Sequence, residues 1–484
     1  MTTAGREKRQ VLVAVALLTV LAGALRFTNL GLQSLWIDEA LTTSVLDPSL
    51  ADTFDTLVDR EATPPLYYAV AWIWTQVLGE GDVALRSLSA LLGTATVPAA
   101  YLAGARLASR RAGVIAAALV ATSPYLIWYS QEARSYALAM LLAALSLAFL
   151  AAAARPAAPR RRELVLWAVA CSLLLATHYF SVVLIAAEGL WLLRERGRDR
   201  EVVGALAAPA ATGLVLAPLA VAQEHADWIA NLGFDSRLND TARFFVGGYG
   251  GAPGTGLGLT AGLLAAAGIV LLFVRARDED RRGGLLALGI AGAALVASLV
   301  LVLGGLDYVY HRNLLVIWIP LAIAVGAGFA AARTAGLAAA TLLCAVFLTS
   351  HIVIVNDDER HRTDWQSAVE RLGRSDEPRP VAVWPPYADP ELVHYGMPVI
   401  DQPDARVQAR ELVVMGEGLA NDRLTPGRRV GAFTVAGRWI DHGVTSAVLR
   451  AEKLQEVKLG LILHTETLGA PDLHFYLDPG RTAD

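Results

Sequence analysis

Apolar stretches of about 20 residues, the length a helix needs to cross a bilayer, recur along this chain between short polar breaks. They fall near 10–28, 86–107, 112–130, 135–154, 163–178, 179–193, 202–222, 256–274, 284–304, 312–331 and 335–354. The two between 163 and 193 are short and read as a tight hairpin. The pattern predicts a polytopic α-helical membrane protein of about 11 transmembrane helices. From about residue 356 it changes. The run Asp357 to Arg362 ends the last span, and Trp365 to Leu372 reads as an amphipathic helix. Short β-like runs follow at Val381–Trp384, Leu412–Met415, Val430–Val435, Leu461–His464 and Leu473–Leu477, separated by Gly, Pro and Asp. We therefore expect a transmembrane domain over 1–355, with a first outer loop at 29–85, and a small C-terminal extracytoplasmic α/β domain over 356–484.

The breaks alternate in charge. Arg106/Arg110/Arg111, Arg155/Arg160/Arg161/Arg162, Arg194/Arg196/Arg198/Arg200 and Arg275/Arg277/Arg281/Arg282 share one side with Arg6, Lys8, Arg9 and Arg333. The other side holds only scattered arginines: Arg26, Arg60, Arg86, Arg134, Arg237, Arg243 and Arg312. The positive-inside rule makes the first set cytoplasmic. The expected setting is a bacterial plasma membrane, with the N-terminus inside and the C-terminal domain outside. The apolar segment from Pro64 to Leu78 would invert this bias if it crossed, and it is short for a span. It is expected as a re-entrant or interface-lying helix on the outer side, so the first outer loop carries juxtamembrane helices.

Composition agrees. The 484 residues are 55% hydrophobic and 18% charged, where a soluble chain carries about a quarter charged. A net charge of −4 gives no case for nucleic acid. Cys171 and Cys344 both fall inside apolar runs, as packing residues do. Ala22-Gly23-Ala24 imitates a signal-peptidase site, but the preceding run is long enough to span and cleavage is not expected.

Ionisable groups beside hydrocarbon are costly, so each asks for a role or a partner. Here they gather on the outer side. Trp36-Ile37-Asp38-Glu39 follows the first span, and Arg86 begins the second. Gln131, Glu132, Arg134 and Tyr136 lie at the end of the third, and His178-Tyr179 at the hairpin turn. Asp307, Tyr308, Tyr310, His311 and Arg312 precede the tenth. Plain alternatives exist for each. Glu39 fits a helix cap or an arginine pair, the arginines fit headgroup snorkelling, and the tyrosines fit an interface belt. Glu188, within a span, reads as a buried and paired group. The cluster as a whole suits one chemistry. A carboxylate can deprotonate an acceptor hydroxyl, and arginines can grip a phosphate in bidentate fashion and neutralise charge on a phosphate leaving group. That combination fits transfer of a sugar from a lipid phosphate. No GxxxxGK[ST], strand-linked GxGxxG, HExxH or paired CxxC signature is present.

The order of these motifs resembles the membrane-embedded, lipid-phosphate-sugar-dependent glycosyltransferases of the GT-C fold. Within them it is similar to glycosyltransferase family 39 and its bacterial relatives, the protein O-mannosyltransferases and lipid A aminoarabinose transferases. The matching residues are Trp36-Ile37-Asp38-Glu39-Ala40, Thr63-Pro64-Pro65-Leu66-Tyr67-Tyr68 and Ala84-Leu85-Arg86-Ser87-Leu88. Tyr129-Ser130-Gln131-Glu132-Ala133-Arg134-Ser135-Tyr136, His311-Arg312-Asn313 with Pro320, and Asp364-Trp365 continue the series. The resemblance runs from about residue 10 to 370 and thins out beyond. Asn313 departs from the tyrosine found at that place in many relatives.

The resemblance implies a polyprenyl-phosphate sugar donor and inversion at the anomeric carbon. It implies Asp38 as the general base, with Glu39 beside it at the acceptor. Arg134 and Arg312, with Arg86 and His311, are implied for the donor phosphate. Trp36, Tyr67, Tyr68, Gln131, Glu132 and Tyr136 are candidates to contact substrate, as are His178, Tyr179 and Tyr310. No cofactor is certain. Metal dependence varies among such enzymes, and Asp38 and Glu39 are the ligands on offer if a divalent ion binds. The expected partners are the lipid-phosphate sugar, membrane lipids and a lipid, glycan or protein acceptor. A protein O-mannosyltransferase is the first alternative, and a lipid-linked-sugar flippase or transporter the alternative of another class. The latter should show matched inverted repeats with midplane polar groups, and no matched halves are evident in the sequence.

Overall fold

The structure, a computed structural model, describes residues 3–46, 49–153, 161–223, 227–249, 255–373, 375, 379–384, 389–397, 400–401, 406–417, 424–458 and 474–478. The chain folds as two units. One comprises Met1–Leu30 and Leu46–Asp357, the other Gly31–Val45 and Asp358–Asp484. The division falls between Asp357 and Asp358, and the segment 29–85 is shared between the units.

The first unit is helical. It opens with α1 (Thr3–Phe27); α2 (Ile37–Val45) belongs to the other unit. Then come α3 (Leu50–Arg60), α4 (Leu66–Leu78), α5 (Asp82–Leu107), α6 (Arg110–Thr122) and α7 (Pro124–Tyr129). Next are α8 (Tyr136–Ala153), α9 (Arg161–Leu175), α10 (Val182–Arg196) and α11 (Arg200–Ala222). The rest are α12 (Asp227–Asn231), α13 (Phe234–Gly247), α14 (Thr255–Val274), α15 (Asp278–Leu303), α16 (Trp318–Ala331) and α17 (Arg333–Asn356). Among the described residues, 8 helices are long and apolar enough to cross a membrane: α1, α5, α8, α11, α14, α15, α16 with its preceding 3-10 turn, and α17. The other three expected spans correspond to shorter helices. α6 has 13 residues, and α9 and α10 have 15 each; at 1.5 Å per residue these reach roughly 20–23 Å, short of a ~30 Å hydrocarbon core.

The expected span 112–130 is broken at Ser123-Pro124. The Ser123 hydroxyl accepts from Leu126 N–H and Pro124 sits in the first turn of α7, where its missing N–H costs nothing. α8 and the α16 span are the inner helices, 83% and 89% buried, whereas α1, α11 and α14 are 17% buried and present apolar side chains outward. Close helix packing depends on glycine. A Cβ on Gly328 of α16 would collide with the Gly268 carbonyl oxygen of α14, the small-residue contact common in membranes. Charges inside are partnered. Arg26 donates to the carbonyls of Val120 (2.9 Å) and Ala121 (3.1 Å), satisfying the end of α6. Glu188 accepts from Trp167 Nε1 at 2.7 Å and Ser146 Oγ at 2.9 Å, a buried, paired group as expected. Arg155 and Arg160 of one arginine-rich break lie outside the described residues.

The second unit holds α2, α18 (Trp365–Leu372), α19 (Asp389–His394) and a sheet of seven strands. These are β1 (Arg379–Trp384), β2 (Ile400–Asp401), β3 (Arg406–Glu417), β4 (Arg429–Val430), β5 (Phe433–Asp441), β6 (Val444–Lys458) and β7 (His474–Asp478), in the order β2-β7-β1-β3-β6-β5-β4. β1 and β3 are parallel, Val381 opposite Val413, and the other pairs are antiparallel. Asp364 caps α18 through Ser367 N–H, and Trp365, Ala368 and Val369 pack on Val381, Val383 and Val413. The hairpin between β5 and β6 turns through His442 (φ 33°) and Gly443 (φ 94°), the left-handed pair a two-residue hairpin favours. The α/β character of this region follows the expectation, although the run Leu461–His464 lies outside the described residues.

Candidate active site

The acidic pair belongs to the second unit. Glu39 and Ala40 N–H both donate to Trp36 O at 2.9 Å, which starts α2 with Asp38 and Glu39 in its first turn, where acidic side chains suit the helix dipole. The two acids then part company. Glu39 is fully buried and meets Arg362 Nη1 at 2.8 Å. Asp38 is half-buried. The Arg362 guanidinium lies 5.3 Å from the centre of the Trp36 ring, and its backbone N–H donates to Gln33 Oε1 at 2.9 Å. Ser34 Oγ donates to Thr363 O at 2.9 Å, and Leu35 N–H donates to the Tyr395 hydroxyl at 2.5 Å. α2 also packs on α19.

The first unit gathers most of the other candidates. Glu61 ends α3, where its N–H closes onto Leu57 O. Arg134 takes it fork to fork: Nη1 donates to Oε1 in a short contact and Nη2 to Oε2 at 3.0 Å. Arg134 Nη1 also donates to the Tyr68 hydroxyl at 3.0 Å, which lies 3.2 Å from Thr63 Oγ1. Tyr67 is buried edge-on to Tyr68, ring centres 5.7 Å apart. Gln223, at the end of α11, ties this corner together. Its Nε2 donates to Leu57 O and Thr63 O at 3.2 Å each, and its Oε1 accepts from the Tyr179 hydroxyl at 2.8 Å. Leu66 N–H donates to Ala176 O at 3.0 Å, fastening the start of α4 to the end of α9.

Several candidates serve local architecture in this arrangement. Gln131 Nε2 donates to Thr28 O at 2.9 Å, beyond the last turn of α1. Glu132 Oε1 accepts from Trp128 Nε1 at 2.8 Å. Arg86 Nη1 donates to Leu30 O at 2.8 Å.

A chain of rings links the Arg134 segment to the Arg312 segment. Tyr136 lies 4.8 Å from Tyr129 and 6.0 Å from His178, and Tyr129 lies 6.2 Å from His311. The Tyr129 hydroxyl is 2.9 Å from His311 Nδ1. Arg312 is half-buried over Trp228 (5.1 Å) and Tyr310 (5.6 Å). His178 is buried in the turn between α9 and α10, and its Nδ1 has no hydrogen-bond partner. The loop before Arg312 is braced from α13. Arg237 donates to Asp307 at 2.8 and 2.6 Å and to Val309 O at 2.8 Å. Those hydrogen bonds hold the Asp307 carboxyl below its ordinary range and raise Arg237 further.

Sequence reasoning did not find Glu61, Gln223 or Arg362 as members of these networks, nor the Arg237–Asp307 pair. Glu61 stands beside Thr63-Pro64-Pro65, and Gln223 is the polar residue that ends an apolar run, so both carry a weak local signal. Arg362, inside a run of charges, carries none. Among the described residues, no group of three or more His, Cys, Asp or Glu side chains is gathered closely enough to hold a metal ion.

Comparison with known proteins follows the same lines. A family model described as dolichyl-phosphate-mannose-protein mannosyltransferase matches residues 62–222. No curated protein matches. Among solved structures, the chain is similar to ArnT from Cupriavidus metallidurans in the apo state, with a TM-score of 0.56 at 13% identity over 92% of this chain and 98% of that one. It is similar as well to the same protein bound to undecaprenyl phosphate, with a TM-score of 0.53 at 14% identity over 90% and 97%. At such identity the likeness is one of fold, and it runs through nearly the whole of both chains.

Proposed function

We infer that the chain is a multi-pass membrane glycosyltransferase of the protein-mannosyltransferase and ArnT type, as the family model over 62–222 and the ArnT-like fold support, and that it moves a sugar from a polyprenyl phosphate to an acceptor hydroxyl on the outer membrane face. The ArnT structure with undecaprenyl phosphate supports the donor class. Asp38 takes the proton from the acceptor hydroxyl as its oxygen bonds to the anomeric carbon. The bond from that carbon to the phosphate oxygen breaks on the opposite face, so the configuration inverts and polyprenyl phosphate leaves with the electron pair. Arg312 neutralises that leaving group. Arg134, already opposite Glu61, is the weaker candidate for the same phosphate.

The observation that carries this reading is the contrast within the acidic pair. Glu39 is fully buried against Arg362, whereas Asp38 is half-buried and so within reach of a hydroxyl. A protein acceptor is the second reading, supported by the family model over 62–222. The test is turnover of a labelled polyprenyl-phosphate sugar by detergent-solubilised protein, offered lipid, glycan and peptide acceptors. Asp38→Asn should lower turnover by roughly 10²–10⁴-fold, the usual worth of a general base, with the protein still folded. Normal turnover by that variant removes the base. Arg312→Ala should weaken donor binding about 10–100-fold, as loss of a charge-assisted contact does.

A further inference from the structure

The acidic pair lies early in the chain, yet it folds with the C-terminal unit. α2 has only nine residues, too few to hold a helix by its own hydrogen bonds, so its direction comes from what it touches. Those contacts converge on one short stretch. Arg362 meets Glu39, covers Trp36 and donates to Gln33, and Thr363 accepts from Ser34. Tyr395 fixes the intervening residue Leu35 through its N–H. Every residue from Gln33 to Trp36 is thereby held, directly or through its neighbour, by the segment that enters the sheet domain.

We propose that Arg362 is a positioning residue for catalysis: through Glu39 and Trp36 it fixes the first turn of α2 and so the place of the Asp38 carboxylate. The proposal rests on the reading of Asp38 as base. It gives the chain beyond Asp358 a part in the reaction through Asp38 rather than through its own contact with substrate. The physical lever is the buried carboxylate. Without Arg362, Glu39 would lose the cation that meets it at 2.8 Å while buried at zero exposure, a loss that proteins relieve by rearranging. The rearrangement carries Asp38 with it, because the two are consecutive in one helical turn. Displacement of a catalytic group by about 1 Å can cost on the order of 10²-fold in rate.

The experiment compares Arg362→Met, Arg362→Lys, the double variant Glu39→Gln/Arg362→Met, and Asp38→Asn in the full-length protein. It reads kcat and donor KM at saturating acceptor, binding of polyprenyl phosphate, and thermal unfolding. Arg362→Met should lose roughly 30–100-fold in kcat, with donor KM and polyprenyl phosphate binding within about twofold. The double variant should recover to within about tenfold of the parent, since no buried charge is left unpaired. Arg362→Lys should fall between, keeping the charge but not the planar face on Trp36. If Arg362→Met does not fold, Tyr395→Phe carries the test with a milder loss in kcat, roughly 3–10-fold for one hydrogen bond. A kcat within twofold of the parent in Arg362→Met overturns the proposal. So does a parallel loss of polyprenyl phosphate binding, or a double variant no better than the single one. Asp38→Asn separates the two readings. Its normal turnover withdraws the base, whereas an inactive Asp38→Asn beside a fully active Arg362→Met withdraws only the role of Arg362.

Discussion

Two buried arginine–glutamate pairs, one in each unit, answer the same electrostatic problem differently. Arg134 meets Glu61 with both arms of its fork and adds the Tyr68 hydroxyl. Arg362 meets Glu39 through Nη1 and stands over the Trp36 ring. The first pair closes a loop of 73 residues, the second a loop of 323. In the first, each charge is spent on the other. In the second, the pair secures a helix whose neighbouring acid remains half-exposed. A buried arginine near a lipid-facing fold is therefore not by itself a phosphate site, because its partner decides what charge it has left to offer.

The largest break in this comparison is Arg134→Ala. It strands Glu61 at 3% exposure and should cost about 3–5 kcal/mol of stability, read as a lower unfolding temperature in detergent. Arg134→Met with Glu61→Gln should recover most of it. If instead Arg134→Ala leaves stability intact and weakens donor binding tenfold, Arg134 is a phosphate ligand and the contrast with Arg362 dissolves.

A third pair sharpens the comparison with a smaller effect. Arg237 is buried but its partner Asp307 is 22% exposed, so Arg237→Ala should cost roughly 2 kcal/mol, the worth of charge-assisted hydrogen bonds. Asp307 has its pKa lowered by Arg237 in the folded state. The pair's contribution is thus complete above the unfolded carboxylate pKa of about 4 and lost as pH falls through the lower folded value. Unfolding of the parent should grow more acid-sensitive below about pH 4, and Arg237→Ala should flatten that dependence. The smallest effect belongs to Trp228→Leu. A ring 41% exposed beneath Arg312 is worth ~0.5–1 kcal/mol, so donor affinity should change less than about fivefold.

The helical unit was largely legible because hydropathy and arginine bias are properties of consecutive residues. The 11 apolar runs all fall on helices; Ser123-Pro124 cuts one in two, and two others open with a 3-10 turn. α13 was missed. Asp235, Arg237, Asp240 and Arg243 break its apolar run, yet the spacing of Phe234, Leu238, Thr241 and Phe245 is helical and could have found it. In the sheet domain, alternating runs marked β1, β3 and β7, while strand order stayed hidden, since pairing is not written in local pattern. The candidate site was legible as residue types on one set of loops. Its pairings were not. Nothing local ties Glu61 to Arg134, and nothing at all ties Glu39 to Arg362.

The separation of that last pair has a temporal side. Asp38 and Glu39 leave the ribosome well ahead of Arg362, which follows 323 residues after Glu39. At about 5–20 residues per second, the acid pair waits roughly 15–65 seconds for its clamp. Throughout that interval the membrane helices can insert and pack while α2 lacks its contacts with Arg362 and α19. On the proposed reading of Asp38, its position is thus set only after the helices of the first unit have been made. A nascent chain that stops short of Arg362 carries Glu39 without the guanidinium that meets it in the folded unit.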